Sequence, residues 1–233
     1  MDKRFLLPAV MLCLMMVSAT APPAEEPTKK MPEHVSERIK LPEPKYIGAT
    51  SVEEALMKRR SVRVFKEGPV LLAELSQLIW AAQGMTNPGG LRTAPSAGAL
   101  YPLELYVVAG NVTGLQPGVY RYGRKNHELL SIAKGDRRND LCSAALGQSS
   151  IKKAALVLVL SGVFERTTAK YGERGIRYVH MEAGHAAQNV YLQAVTLQLG
   201  TVVIGAFSDR DVKALLKMTD SEMPLYIMPV GKK

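Results

Sequence analysis

The chain has 233 residues, 47% of them hydrophobic and 22% charged, with a formal net charge of +9 at pH 7. That balance describes a globular domain with a sizeable core and excludes an acidic disordered chain, a collagen-like repeat and a cysteine-dense mini-protein. The positive residues are spread along the chain, so affinity for an anionic surface or a phosphorylated ligand explains them as well as nucleic-acid binding does, and no nucleic-acid partner is expected.

Residues 1–21 read as a signal peptide. Lys3 and Arg4 form a basic start, Phe5 to Val17 an apolar stretch broken at Pro8, and Ala19-Thr20-Ala21 a small-x-small cleavage signal. Export to the periplasm or the exterior follows, by the general secretory route because the basic start holds no twin-arginine pair. An uncleaved signal acting as a membrane anchor is the alternative. Cys13 lacks the small preceding residue of a lipidated cysteine, so no lipoprotein is predicted. Loss of Asp2, Lys3 and Arg4 removes one net positive charge and takes the formal charge from +9 to +8. Cleavage also leaves Cys142 as the sole cysteine, which excludes an intrachain disulfide.

Residues 22–48 are rich in Pro, Glu and Lys and read as a linker or loosely packed arm. The folded domain spans 49–233. Ser51 with Glu54 predicts a capping box opening a first helix, which ends at Lys58-Arg59-Arg60. Val62, Val64 and Phe65 alternate as a short strand, and Leu71 to Ala82 repeat at helical spacing up to Gly84. Met85 to Ser96 form a glycine-rich loop of the kind that carries sites. After it come a strand at 103–109, a hairpin pairing 118–122 with 128–133, and a helix at 136–146. Ala154 to Leu160 is a continuous apolar run, predicting a strand buried on both faces. A strand at 201–205, a helix capped by Ser208 or Asp209 and a last strand at 225–230 complete an α+β pattern with a mostly antiparallel sheet.

The dominant element is a helix from Arg174 to Leu199. Val179, Ala183, Ala186, Ala187, Val190, Ala194 and Leu197 form an apolar stripe, which Met181, Gly184, Tyr191, Val195 and Leu199 extend around the back. Glu182, His185, Asn189, Gln193 and Thr196 fill the narrow polar strip left over. The helix is therefore expected to be buried on most of its circumference, and its small residues suit close packing within the domain or across a subunit boundary.

Candidate chemistry begins at Arg59-Arg60-Ser61-Val62-Arg63, where three guanidinium groups and a hydroxyl suit a phosphate, although a solvated charged turn has the same composition. His180 and His185 stand five apart, about 140° around a helix, so they share no ligand face and no metal site is predicted. His185 is expected to hydrogen-bond along the polar strip, with Glu182 or Asn189. Cys142 reads as a buried structural thiol, and Trp80 and Tyr101 as core or pocket wall.

Four segments in order, Arg59 to Phe65, Leu78 to Gly84, Pro95 to Pro102 and Glu182 to Asn189, together resemble the nitroreductase superfamily, and within it the SagB/ThcOx-like branch. Leu199-Gly200-Thr201, Ile204-Gly205 and Pro229-Val230-Gly231 continue the likeness to the C-terminus. The resemblance implies an FMN-binding α+β fold, usually a homodimer with a flavin site at each side of the interface. It implies that Arg59, Arg60, Ser61 and Arg63 hold the flavin phosphate, ribityl chain and pyrimidine edge, with Gly231 and Lys232 adding phosphate contacts. Ser96, Ala97, Gly98 and Ala99 would reach the flavin of the partner subunit, and Ile204-Gly205 would pass near its ring. Ala99, Leu100 and Tyr101 depart from the Asn/Gln version of that segment found in many nitroreductases. Lys170-Tyr171 resembles a pair thought to move a proton in azoline dehydrogenases of this branch; a packed tyrosine beside an exposed lysine is the competing reading. The implied activity is FMN-dependent hydride transfer between flavin N5 and a small-molecule or peptide substrate, with NAD(P)H or another electron donor. Azoline oxidation on a peptide and non-catalytic flavin binding are the alternatives.

Overall fold

A computed structural model of the chain describes residues 37–233. The expected signal peptide and the first part of the arm lie outside the described residues. Seven strands form one sheet in the order β1 (Arg38–Lys40), β6 (Glu128–Lys134), β5 (Gly118–Gly123), β3 (Leu103–Ala109), β7 (Leu156–Val163), β9 (Glu222–Lys232), β8 (Leu199–Thr201), and each neighbouring pair is antiparallel. β2 (Val70–Leu71) and β4 (Val112–Thr113) make a separate parallel pair.

β7 lies between β3 and β9, and its alternate side chains enter two different cores, as the two-residue period of a strand requires. Leu156, Leu158 and Leu160 join Leu103, Leu105 and Val107 of β3 beneath α2 (Leu72–Gln83) and α6 (Arg174–Thr196). Val157 and Val159 join Tyr106 and Val108 against α3 (Arg138–Ala144), α4 (Ser149–Lys153) and α7 (Asp209–Leu216), through Leu141, Ile151, Val212 and Leu216. The continuous apolar run is thus a strand with no solvent face, and the sheet is flanked by helices on both sides.

Caps follow local chemistry. Ser51 Oγ accepts the Glu54 backbone N–H at 3.1 Å and opens α1 (Val52–Lys58), while the Glu54 carboxylate pairs with Lys58 rather than closing a capping box. Ser208 caps α7 in the same way.

Four expectations are corrected. The end of the arm is no tether: β1 pairs with β6, Leu41 is 2% exposed, and Gln77 of α2 brackets the Lys45 backbone, accepting its N–H at 2.8 Å and donating to its carbonyl at 3.0 Å. Residues 62–65 are not a strand; they run past the sheet edge between two single bridges, Ser61 with Thr201 and Lys66 with Lys232. The helix foreseen at 136–146 is shorter: α3 stops at Ala144, ahead of Leu146 and Gly147 with φ of 57° and 76°, and a second short helix, α4, follows that the sequence did not signal. The fourth concerns α6. Its stripe from Val179 to Ala194 is buried, yet Met181 is 51% exposed and Gly184 has no neighbour within 4 Å of a built Cβ. Within one chain α6 buries a single face, and the side the sequence would bury around the back is open.

Candidate functional site

All the expected site residues but Gly231 and Lys232 gather into two groups, each fastened to α6. The first is organised by Tyr191. Its hydroxyl accepts the Val203 N–H at 2.8 Å and lies 3.1 Å from Ser61 Oγ, while the Arg59 guanidinium sits over its ring at 5.2 Å. The bridge between Ser61 and Thr201 and the Val62 N–H donated to the Thr201 carbonyl at 2.9 Å complete the junction. The arginine-rich turn and the Val203-Ile204-Gly205 loop are thereby held side by side, although 140 residues separate them in sequence. Ile204 is buried and bridged to Ile227, whereas Gly205 faces open space. Arg63 is exposed and makes no ion pair or side-chain hydrogen bond among the described residues. Arg60 donates to the Met57 and Arg59 carbonyls at 3.0 and 2.7 Å, so its guanidinium closes the end of α1.

The second group joins Ser96–Ala99 to Lys170-Tyr171. The latter pair ends α5 (Glu165–Tyr171), a helix too polar to show an apolar stripe in sequence. Residues 97–99 form a single 3-10 turn in which Gly98 has φ 61°. A Cβ built on Gly98 would lie 2.7 Å from Tyr171 Oη and 3.1 Å from Lys170 Nζ, so both polar tips rest against its backbone. Lys170 Nζ stands 5.5 Å from the centroid of the Tyr171 ring, which meets Tyr178 edge-on.

The loop before that turn is clamped to α6. Asn189 donates to the Thr93 carbonyl at 3.2 Å, and His185 approaches the Pro95 carbonyl at 3.4 Å instead of Glu182 or Asn189. Arg92 is stacked 4.1 Å over Tyr101 and donates to Gln83 at 2.6 Å. Glu182 does not lie on an exposed polar strip; it is 2% exposed beneath this loop. Burial pushes its carboxyl up to about 7 from 4.5, against the opposing pull of the Ser96 hydroxyl and of Arg92. With the folded pKa above the unfolded one, its contribution to stability is complete below pH 4.5 and lost as pH rises towards 7; carrying the charge above that costs about 3 kcal/mol.

Gly231 and Lys232 belong to neither group. Gly231 is buried beneath Phe65, whose Cγ would lie 2.6 Å from an added Cβ. The Lys232 ammonium binds both oxygens of Glu74, at 2.8 and 2.9 Å, and Glu74 also accepts the Leu71 N–H that opens α2. Lys232 therefore works first as a strut between β9 and α2. Cys142 is buried with its thiol on the Gln148 carbonyl. Trp80 lines both a cavity of about 610 Å³ and one of about 290 Å³, a pocket wall as foreseen. Sequence reasoning missed Tyr191, taken for part of an apolar face, and the depth of Glu182; a phenol and a carboxylate on the helix with the smallest residues were the available signals.

The α+β frame, a helix-flanked antiparallel sheet, carries an arginine turn, an open glycine loop and a Lys-Tyr pair. Residues 56–232 match the nitroreductase family, and the chain belongs to that family. It is 48% identical over 195 residues to a protein of Methanocaldococcus jannaschii named as a nitroreductase, covering 84% of this chain and 96% of that one. A crystal structure of a protein from Anabaena variabilis, also named as a nitroreductase, superposes with a TM-score of 0.75 at 31% identity over 85% of this chain, which spans 42% of that longer protein. The microcin B17-processing protein McbC of Escherichia coli is 30% identical over 164 residues, 67% of this chain and 60% of McbC. The fold and the kinship to the SagB/ThcOx-like branch are as the sequence motifs imply.

Proposed function

We propose that this nitroreductase-family oxidoreductase is exported, binds FMN and moves hydride between flavin N5 and a small or peptide-borne substrate. The observation that carries the reading is the junction at Tyr191, which sets Arg59, Ser61 and exposed Arg63 beside the open Gly205 loop. Those residues fit a flavin phosphate and ring: an uncommitted guanidinium for a near-dianion, and a glycine where a planar group needs close approach. When bound, FMN supplies the two-electron chemistry. This chain's own residues anchor it and present a polar pair, Lys170 Nζ and Tyr171 Oη, against the Gly98 turn.

The same layout supports a homodimer. Glu182 and Tyr191 touch different groups and stand nine positions apart on α6, about 14 Å along the axis. The open side of α6, with Met181 exposed, is the surface a second copy would cover, bringing its Ser96–Ala99 turn to the other group. The secretory signal at 1–21 supports export with flavin acquired outside. The likeness to McbC, together with Lys170-Tyr171 packed on Gly98, favours a second reading, azoline oxidation on a peptide.

Arg63→Ala tests the phosphate anchor. Loss of a charge-assisted contact worth about 1.5–3 kcal/mol weakens FMN affinity roughly ten- to a hundredfold. Riboflavin, lacking the phosphate, should bind both proteins alike in the same fluorescence titration. Equal FMN affinity in wild type and variant would remove Arg63 from the site.

A further inference from the structure

Glu182 is a buried carboxylate with one oxygen, Oε1, that makes no hydrogen bond among the described residues. A group so placed is expensive to keep, and an apolar residue would fill the space at lower cost. Its neighbour gives it a task. Ser96 Oγ already accepts the Tyr101 N–H at 2.9 Å, so the hydroxyl proton is left to donate, and the Glu182 carboxylate lies beside it. Ser96 opens the turn whose Gly98 backbone supports Lys170 Nζ and Tyr171 Oη.

We propose that Glu182 is a positioning residue for the Lys170-Tyr171 pair: through Ser96 it sets the Ser96–Ala99 turn, and gain or loss of its proton shifts that turn against the pair. The inference rests on the reading of this group as the reacting end of the site. Arg92 is the charged group facing Glu182 from the loop, with Tyr101 stacked under it; Glu104 and Arg124 act on Arg92 from the sheet side, His180 and His185 belong to α6 itself, and Lys170 and Tyr171 face the turn from α5.

The test begins with the apoprotein. Amide resonances of Gly98 and Tyr101, followed by NMR across pH, should titrate together with a midpoint of about 7 in wild type and stay flat in Glu182→Gln. Ser96→Ala should abolish the response at Gly98 while the carboxyl still titrates, and it carries the test alone if Glu182→Gln fails to fold. Amides that titrate unchanged in either variant, or that do not titrate in wild type, overturn the proposal. In the FMN-loaded protein, reoxidation of the dithionite-reduced form by menadione should show an inflection at the same pH, absent from Glu182→Gln; an unchanged profile in the variant likewise overturns it. Failure to bind FMN with the amides titrating as expected would defeat the flavin reading and leave the coupling between Glu182 and the turn in place.

Discussion

Replacing Gly98 with alanine is expected to leave the protein folded and to cut turnover about a hundredfold. Gly98 sits at φ 61°, where an L side chain costs about 1–2 kcal/mol, a loss a domain of this size survives. The larger effect is steric. The new methyl would fall 2.7 Å from Tyr171 Oη and 3.1 Å from Lys170 Nζ. Both are the far ends of flexible side chains, so they move aside cheaply, and displacement of reacting groups by about 1 Å is enough for such a loss in rate. Steady-state turnover beside a thermal melt and an FMN titration separates the effects. The variant should behave like Lys170→Ala, binding flavin and turning over slowly. Turnover within about threefold of wild type would show that the pair takes no part in the reaction.

Glu104→Ala is expected to cost about 3–5 kcal/mol at pH 7, lowering the melting temperature by about 6–20 °C. Glu104, on β3, is 3% exposed and pairs with Arg166 at 2.7 Å, Arg124 at 2.9 Å and Arg121 at 3.2 Å. Burial works to raise its pKa, but Arg124 and Arg121 outweigh burial and hold the carboxyl below its usual range. The three arginines keep about a third of their side-chain surface, which places the cost towards the lower end. For an acid with a depressed pKa the contribution is present above the unfolded value and lost as pH falls through the folded one. The gap between wild type and variant should therefore narrow below pH 4.5 and be constant above it. A melting temperature within a degree or two of wild type at pH 7 would mean that Arg166 and its neighbours are satisfied by solvent.

What the sequence discloses and what it hides divide along a physical line. β7, β3 and the buried face of α6 are legible because their periodicity is set by burial of apolar side chains, which one chain segment records by itself. The Ser51 and Ser208 caps are legible because capping is local within four residues. The Ser61–Tyr191–Val203 junction is not, since a hydrogen bond across 130 positions leaves no local pattern. Glu182 misled for a related reason: helical phase places it beside His185 and Asn189, and only the fold of residues 92–96 over α6 buries it. β1 and α5 were missed because a three-residue edge strand and a polar seven-residue helix carry too little periodicity to register. Motif resemblance supplied the candidate site where periodicity could not; Lys232, engaged with Glu74, is where its transfer to this chain finds least structural support.

Whether this chain holds FMN is the direct test of its proposed function. Purified, ligand-stripped protein titrated into FMN, with quenching of flavin fluorescence as the signal, decides it. Saturable binding stoichiometric with the chain, and weakened in Arg63→Ala, is the predicted result. Flavin fluorescence that stays unquenched with protein in excess would contradict it.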